Sequence, residues 1–221
     1  MHDKKRIYWE QETLKYNWAH ARMRLVAETI KSYPSSTSVL DLGAGKALLA
    51  HMLGPSYSYY GLDIVGNASK ELSWPIVKAC DFENISQITL PDVPYDIIVI
   101  SGLLEYLDNW AEFLHYVTKH WLSEGGICIV SFTNRKGYEK APVKEHNKWN
   151  NILSLPEIIE DLSIMDLEIE RIYPLLWGNK LWGLPIVKTL SWLADKMQHK
   201  LLLDQFWVSQ FLCITRQRNK L

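Results

Sequence analysis

The chain has 221 residues, of which 48% are hydrophobic and 22% charged, and its formal net charge is -1. This composition is typical of a globular protein, and the length suits one α/β domain over residues 1–221. The near-neutral charge disfavours nucleic acid as a partner, because a nucleic-acid surface needs an excess of lysine and arginine.

The spacing of the cysteines and the lack of long apolar runs narrow the possible classes of protein further. Cys80, Cys128 and Cys213 stand far apart with no C-x-x-C spacing, which fits neither a disulfide framework nor a zinc site. We therefore predict free thiols and no metal site. The N-terminal ten residues lack the apolar core of a signal peptide, and no apolar run reaches the roughly 18 residues that cross a bilayer. We expect a cytoplasmic location.

The first predicted element is a helix over residues 7–31, which are rich in Ala, Leu, Glu, Lys and Arg and contain neither Gly nor Pro. We interpret residues 1–34 as a helical cap. Strands and helices then alternate, which predicts a mainly parallel sheet. Strands are predicted at Ser38–Leu42, Tyr57–Asp63, Pro75–Cys80, Tyr95–Ser101 and Ile127–Phe132, and helices at residues 46–53, 109–122 and 154–163.

Two further strands are predicted near the end of the chain. Between Met165 and Tyr173 apolar and acidic residues alternate, which indicates a half-exposed strand with Leu167 and Tyr173 on one face. Phe206–Thr215 is apolar on both faces, so we predict an inner strand that could enter the sheet antiparallel.

The strongest chemical signal is the glycine turn after the first predicted strand, Asp41-Leu42-Gly43-Ala44-Gly45. Such a turn lets the backbone approach a ligand closely and directs free N–H groups at negative charge. Asp41 could accept a hydrogen bond from a ligand ammonium group. A plain strand-to-helix connection is the alternative interpretation.

Acidic residues follow the next two predicted strands. Asp63 ends the second strand, 20 residues after Gly43, where a carboxylate can bind a ribose diol. Alternatively, Asp63 caps a following helix. Asp81 could accept from an exocyclic amine and Phe82 could stack on a base, although a turn aspartate beside a core phenylalanine fits equally.

Taken in order, these motifs resemble those of the class I S-adenosylmethionine-dependent methyltransferases. The resemblance covers about residues 35–135 and includes the fourth-strand segment 95–107 and the turn at 122–126. It implies that residues 35–135 form the cofactor-binding core and that S-adenosylmethionine is the cofactor. The implied fold is α/β, with a doubly wound, Rossmann-like, mostly parallel sheet of seven strands whose last strand is antiparallel. The implied cofactor-binding residues are Asp41, Leu42, Gly43, Ala44, Gly45, Asp63, Ile64, Asp81, Phe82 and Ser101.

The chain departs from that family at two positions. Ala47 stands where a third glycine is frequent, and Glu105-Tyr106 replaces a frequent histidine, so the family does not identify a general base here. Other classes fit less well. Leu48 breaks the G-x-G-x-x-G fingerprint of nicotinamide enzymes, and the residues after Ser101 lack the Pro-Pro motif of nucleic-acid amino-methyltransferases.

Three residues are candidates for the catalytic step. A hydroxyl acceptor needs a proton acceptor, and we predict His146 or Glu105 in that role, with Tyr106 lining the acceptor site. His146 lies in the polar stretch 133–151, a length typical of a substrate loop, although a solvated histidine is the alternative. For Glu105, the alternative is a helix cap or a salt bridge.

Residues 174–205, between the last two predicted strands, form a predicted helical insertion rich in tryptophan. It packs on the sheet or on a second subunit, or it covers the acceptor and contacts a lipid-linked substrate or a membrane surface. We thus expect a methyltransferase for a small-molecule, glycan or lipid-linked acceptor, acting on oxygen. The alternatives are a catalytically silent S-adenosylmethionine-binding partner or sensor, and a Rossmann protein that prefers NAD.

Overall fold

The structure, a computed structural model, describes residues 17–64, 76–91, 94–139, 150–176 and 208–218. The strands in these ranges are β1 (Ser38–Leu42), β2 (Ser58–Asp63), β3 (Ile76–Ala79), β4 (Tyr95–Ile100), β5 (Leu122–Thr133), β6 (Leu167–Leu176) and β7 (Val208–Gln217). They form one sheet in the order β3-β2-β1-β4-β5-β7-β6.

Strand direction agrees with the predicted fold class. Five neighbouring strands are parallel to one another: β3, β2, β1, β4 and β5. Strand β7 is antiparallel to both of its neighbours, β5 and β6. The inner position of β7, between β5 and the edge strand β6, follows from its composition, because its residues 208–215 are buried on both faces apart from Gln210. The prediction of a doubly wound sheet with an antiparallel last strand is therefore confirmed.

Helices cover both faces of the sheet. The described helices are α1 (Asn17–Lys31), α2 (Leu48–Leu53), α3 (Trp110–His120), α4 (Arg135–Glu139) and α5 (Leu155–Ile164). Apolar side chains of α1 and α2 form one core with one face of the sheet, and those of α3 and α5 form a second core with the other face. This three-layer arrangement leaves the carboxyl ends of the parallel strands available for a site.

Local sequence explains where α5 begins. Ser154 precedes the helix, and both its backbone N–H and its hydroxyl donate to the Glu157 carboxylate, each at 2.7 Å. Pro156 lies in the first turn, where no backbone N–H donor is required. The Ser154–Glu157 pair and the proline together define the N-terminus of α5.

Strand β5 is longer than predicted. The sequence placed a turn at Gly125-Gly126 and began the strand at Ile127, whereas the structure begins β5 at Leu122. The glycines form an irregularity within the strand, since Tyr95 pairs with Leu122 but Ile97 pairs with Ile127. A Cβ at Gly126 would lie 2.8 Å from the Asp96 carbonyl oxygen, so this distortion requires glycine.

The predicted face of Tyr173 on β6 is wrong. The sequence placed Leu167 and Tyr173 on one face by strict alternation. The pairing of β6 with β7 shifts by one residue between Ile169 and Arg171. Because one extra residue reverses every later side chain, Leu167 lies in the core beside α5, whereas Tyr173 lies in the core beside α1.

Several predicted features lie outside the described residues. They are the part of the first helix before Asn17, His146, and residues 177–205 of the predicted aromatic insertion. In the described ranges, no helix is both long enough and apolar enough to cross a membrane.

Candidate functional site

The candidate site lies where the carboxyl ends of β1, β2 and β4 meet. The sheet order reverses between β1 and β4, so the connections that follow these two strands run to opposite sides. In open α/β sheets a crevice forms at this reversal and binds ligands. Three predicted parts of the cofactor site lie at these strand ends: the glycine turn follows β1, Asp63 ends β2 and Ser101 follows β4.

The glycine turn packs tightly against β2. The N–H groups of Gly43 and Ala44 both donate to the Leu62 carbonyl oxygen, at 2.9 and 3.0 Å. Gly43 has a φ of 79°, a left-handed conformation that favours glycine. A Cβ at Gly43 would also lie 3.2 Å from the Cβ of Leu103, so the absence of a side chain lets the turn after β4 approach.

Asp63 connects the end of β2 to the glycine turn. One oxygen of its carboxylate, Oδ2, accepts a hydrogen bond from the Gly45 N–H at 2.8 Å. The side chain is half-buried, and Ile64 beside it is also half-buried. Asp63 and the glycine turn, two separate motifs in the sequence, are therefore in direct contact.

Asp41 is a buried carboxyl group below the turn. It is 3% exposed, and its Oδ2 accepts a hydrogen bond from the Tyr59 hydroxyl at 2.7 Å. Burial raises the pKa of Asp41 to about 7; the Tyr59 hydrogen bond opposes the rise, and the nearby charge of Asp63 adds to it. Tyr59, which the sequence analysis did not identify, thus limits the rise in the pKa of Asp41 that burial causes.

Asp81 and Phe82 take up the positions of a turn and a core residue. The Asp81 carboxylate accepts from the Glu83 N–H at 3.1 Å and from the Asn84 amide at 2.9 Å, while the residue remains exposed. Phe82 is buried and packs edge-on against Phe113, with ring centroids 5.8 Å apart. Contact of Asp81 and Phe82 with a base stays a prediction.

Ala47 follows the glycine turn and has a φ of 54°. This is the left-handed region, which costs a residue with a Cβ about 1–2 kcal/mol relative to glycine. The geometry explains why a third glycine is frequent at this position in the family that the sequence resembles. Alanine is accommodated here, fully buried, at the start of α2.

The end of β4 forms the other wall of the site. Ser101 is buried, and its hydroxyl has no hydrogen-bond partner among the described residues. Gly102 follows with a φ of 80°, and its N–H donates to the Ser131 hydroxyl on β5 at 2.8 Å. The chain then forms a short 3-10 turn, Leu104–Tyr106, that carries two of the predicted catalytic residues.

Glu105 is a carboxyl group in the protein interior. It is 4% exposed, and within the described chain its Oε2 has no hydrogen-bond partner. Burial raises the pKa of Glu105, and the positive charge of Arg22 opposes that rise. The structure therefore places Glu105 inside the site, whereas a helix cap would be exposed. Tyr106 beside it is half-buried.

Arg22 is a site residue that the sequence analysis missed. It lies on α1. Burial lowers the pKa of Arg22, and the nearby Glu105, Tyr106 and Asp41 oppose that shift. Its Nη2 lies 2.6 Å from the position that a Cβ on Gly102 would take. No local motif marks this arginine, because its neighbours in the site come from β1 and β4.

Asn150 and Asn151, also missed, hold the turn after β4. The Asn150 N–H donates to the Glu105 carbonyl oxygen at 2.6 Å, and the Asn151 amide donates to the carbonyl oxygens of Leu104 and Leu107. The polar stretch that contains His146 thus ends on the turn that carries Glu105.

Three buried polar atoms near this turn fit a charged ligand. Arg22 Nε, Ser101 Oγ and Glu105 Oε2 have no partner within the residues that the structure describes. An unsatisfied buried polar group costs about 1–3 kcal/mol, so a ligand that bonds to these atoms would recover that energy. The Arg22 guanidinium matches the carboxylate of an amino-acid ligand, and the Glu105 carboxylate matches a ligand group that donates a proton or a hydrogen bond.

A metal site is not apparent in the described part of the chain. It contains no group of three or more His, Cys, Asp or Glu side chains that could hold an ion. The fold and the strand-end residues together have the arrangement that the sequence analysis associates with class I S-adenosylmethionine-dependent methyltransferases.

Comparison with known proteins identifies the family. The model of the methyltransferase domain family matches residues 8–167, which is more than half of the chain. The chain belongs to this family: it is an enzyme, an S-adenosylmethionine-dependent methyltransferase.

Individual relatives are distant. The ubiquinone biosynthesis O-methyltransferase of Rickettsia felis is 23% identical over 219 residues, covering 90% of this chain and 83% of the relative. A Mesorhizobium loti S-adenosylmethionine-dependent methyltransferase structure has a TM-score of 0.57 at 14% identity, covering 88% of this chain and 100% of that one.

A third similar protein has been solved with a product-state cofactor. It is the Burkholderia thailandensis 1,6-didemethyltoxoflavin-N1-methyltransferase, with bound S-adenosylhomocysteine. Its TM-score is 0.59 at 14% identity, covering 99% of this chain and 84% of that one. The Rickettsia felis relative is named an O-methyltransferase, whereas the Burkholderia thailandensis protein is named an N1-methyltransferase. The shared fold therefore does not identify the acceptor atom.

Proposed function

We propose that this enzyme transfers a methyl group from S-adenosylmethionine to an oxygen atom of a small-molecule, glycan or lipid-linked acceptor. The observation that carries the proposal is the buried Glu105 carboxylate with its unpartnered Oε2. A hydroxyl nucleophile must lose a proton, and burial raises the pKa of Glu105, which makes its carboxylate a stronger proton acceptor than an ordinary one.

Four residues are proposed to hold the cofactor. Asp63, at the end of β2, binds the ribose diol next to the glycine turn. Arg22 binds the carboxylate of the methionyl end, and Asp41 accepts from its ammonium group. The Ser101 hydroxyl, buried at the end of β4, bonds to the same methionyl end.

The chemistry divides simply between cofactor and protein. The bound cofactor supplies a methyl group already activated on a sulfonium. The protein holds the acceptor oxygen in line with that methyl group, and such positioning can remove about 7–11 kcal/mol of the barrier. Glu105 takes the acceptor proton at Oε2, and Tyr106 lines the acceptor side. His146 stays a second candidate for the base.

The names of the relatives support an oxygen acceptor. The Rickettsia felis relative, and one from Rickettsia bellii that is 24% identical over 177 residues, are both ubiquinone biosynthesis O-methyltransferases. A lipid-linked acceptor would suit a contact with the membrane surface through residues 174–205. That contact and the cytoplasmic location stay predictions.

An acceptor screen tests the proposal. The protein is incubated with S-adenosylmethionine and panels of phenols, catechols, sugars and prenylated phenols, and S-adenosylhomocysteine release is measured. Each hydroxyl acceptor is paired with its amine analogue as a control. We expect release with a hydroxyl compound and little with its amine partner. Faster methylation of the amines would contradict the oxygen assignment.

Asp63→Ala is expected to weaken S-adenosylhomocysteine binding by about 10- to 100-fold, because a hydrogen bond to a charged group contributes about 1.5–3 kcal/mol. Isothermal titration calorimetry measures the change. The control is Asp96→Ala, since Asp96 caps the opposite end of the sheet through the Ser38 N–H and hydroxyl. Asp63→Asn keeps an oxygen for the Gly45 N–H, so it separates ribose binding from support of the turn. Equal affinities in Asp63→Ala and wild type would refute the ribose assignment.

Cofactor affinity is expected to rise with pH between about pH 5.5 and about pH 7.5, because Asp41, with a pKa of about 7, ionises over this range. In the free protein, the same raised pKa of Asp41 has the opposite effect: it makes folding stability decrease as pH rises. Its contribution to folding stability is greatest below pH 4 and is lost as pH rises through about 7. Calorimetric titration with S-adenosylhomocysteine at several pH values measures the affinity.

The matched variant for the pH experiment is Tyr59→Phe. It removes the hydrogen bond that lowers the pKa of Asp41, so the midpoint of the affinity curve should move to higher pH. An affinity that does not change with pH in the wild type would remove Asp41 from the ammonium site.

A further inference from the structure

Gln210 of β7 contacts Arg22 across 188 positions of sequence. Arg22 Nη1 donates to Gln210 Oε1 at 2.7 Å. Gln210 pairs in register with Thr133 at the end of β5, so its side chain reaches α1 from the far side of the site. The arginine is thus attached to the last strand on one side and packs against Gly102, after β4, on the other.

This contact determines which edge of the guanidinium group remains for a ligand. The group is planar, with its donors in a fixed fork that matches the two oxygens of a carboxylate. The Nη1 group already donates its hydrogen bond to Gln210. The opposite edge consists of Nε and Nη2, and Nε is buried without a partner among the described residues.

We infer that Gln210 is a positioning residue: it holds Arg22 so that the Nε–Nη2 edge receives the carboxylate of the cofactor's methionyl end. The inference rests on the assignment of Arg22 to that carboxylate under Proposed function. A flexible arginine loses rotamer freedom when it binds, and a side chain that is already held loses less. Gln210 therefore increases affinity for ligands that carry the carboxylate.

The choice of an amide at position 210 is important for charge. Glutamine accepts the hydrogen bond but is neutral, so Arg22 keeps its full positive charge for the ligand. A glutamate would accept the same hydrogen bond and also neutralise the arginine. Geometry and charge can therefore be separated by two substitutions at one position.

The experiment compares two ligands. S-adenosylhomocysteine carries the amino-acid carboxylate and ammonium, whereas 5′-methylthioadenosine has the same nucleoside without either; the ammonium is assigned to Asp41, which none of the variants changes. Dissociation constants are measured by calorimetry for wild type, Gln210→Ala, Gln210→Glu and Arg22→Ala. The control is Gln217→Ala, because Gln217 is on the same strand and donates to the Thr118 carbonyl oxygen, away from Arg22. Retained methylthioadenosine binding shows that each variant is folded.

We expect Gln210→Ala to weaken S-adenosylhomocysteine binding about three- to tenfold, since it removes a hydrogen bond to a charged group. Gln210→Glu weakens it further, and methylthioadenosine affinity stays constant in every variant. In the Arg22→Ala background, Gln210→Ala has no additional effect, because the two residues act as one unit.

The possible failures are distinguishable. The role of Gln210 is refuted if Gln210→Ala lowers the affinities for the two ligands equally or leaves both unchanged. It is also refuted if Gln210→Glu binds S-adenosylhomocysteine as tightly as the wild type does. If Arg22→Ala leaves the ratio of the two affinities unchanged, the assignment of Arg22 fails, and the inference about Gln210 fails with it.

Discussion

Glu105→Gln is expected to lower turnover by about 10²–10⁴-fold with a hydroxyl acceptor, because the amide cannot take the proton that the carboxylate accepts. The affinity for S-adenosylhomocysteine should stay within a few-fold of wild type. Since burial raises the pKa of Glu105, the wild-type rate should increase with pH over a range above that of an ordinary carboxyl group. Initial rates of S-adenosylhomocysteine release between about pH 5 and about pH 8 measure both effects.

The control for this substitution is Glu160→Gln, on the exposed face of α5, which should leave the rate unchanged. Normal turnover in Glu105→Gln would transfer the role of base to His146, and His146→Ala then tests that alternative. If both variants retain normal turnover, the reaction does not use either residue as its base.

Phe211→Ala is expected to lower the free energy of unfolding by about 3–5 kcal/mol. Phe211 is 0% exposed on the inner strand β7, which lies between β5 and β6, so its removal leaves a cavity that rigid strands cannot fill. For a chain of this size the expected decrease in Tm is about 6–20 °C. Differential scanning calorimetry measures it.

The matched control is Ile164→Ala, because Ile164 is also a large apolar residue but is 74% exposed. Its effect should stay within about 0.5 kcal/mol. A loss below about 1 kcal/mol in Phe211→Ala would show that the structure overstates the packing of β7.

The parts of the site on strand ends were predictable from sequence. Gly43, Asp63 and Ser101 each follow a short apolar run, and parallel strands bring their carboxyl ends to one edge of the sheet. The alternation of elements therefore placed these residues together before any contact was known. The seven-stranded sheet and its antiparallel last strand followed from the family resemblance, whereas the order of the strands came from the structure.

The contacts that complete the site were not predictable in this way. Arg22 and Gln210 are separated by 188 residues and belong to no local motif. The Tyr59 hydroxyl reaches Asp41 only because β1 and β2 are adjacent. Local patterns also gave no sign of the extra residue in β6 or of the early start of β5, since both arise from pairing between strands.

The position of β7 has a consequence for how the chain is made. During synthesis β5 and β6 emerge before β7, the strand that pairs with both of them, so each lacks that neighbour until β7 is added. Until then β5 presents an unpaired edge with apolar side chains, the kind of surface that promotes aggregation of nascent chains. The other half of the sheet, β1 to β4, has no such dependence. We therefore expect that half to become ordered during translation, whereas the other half waits for the final strand.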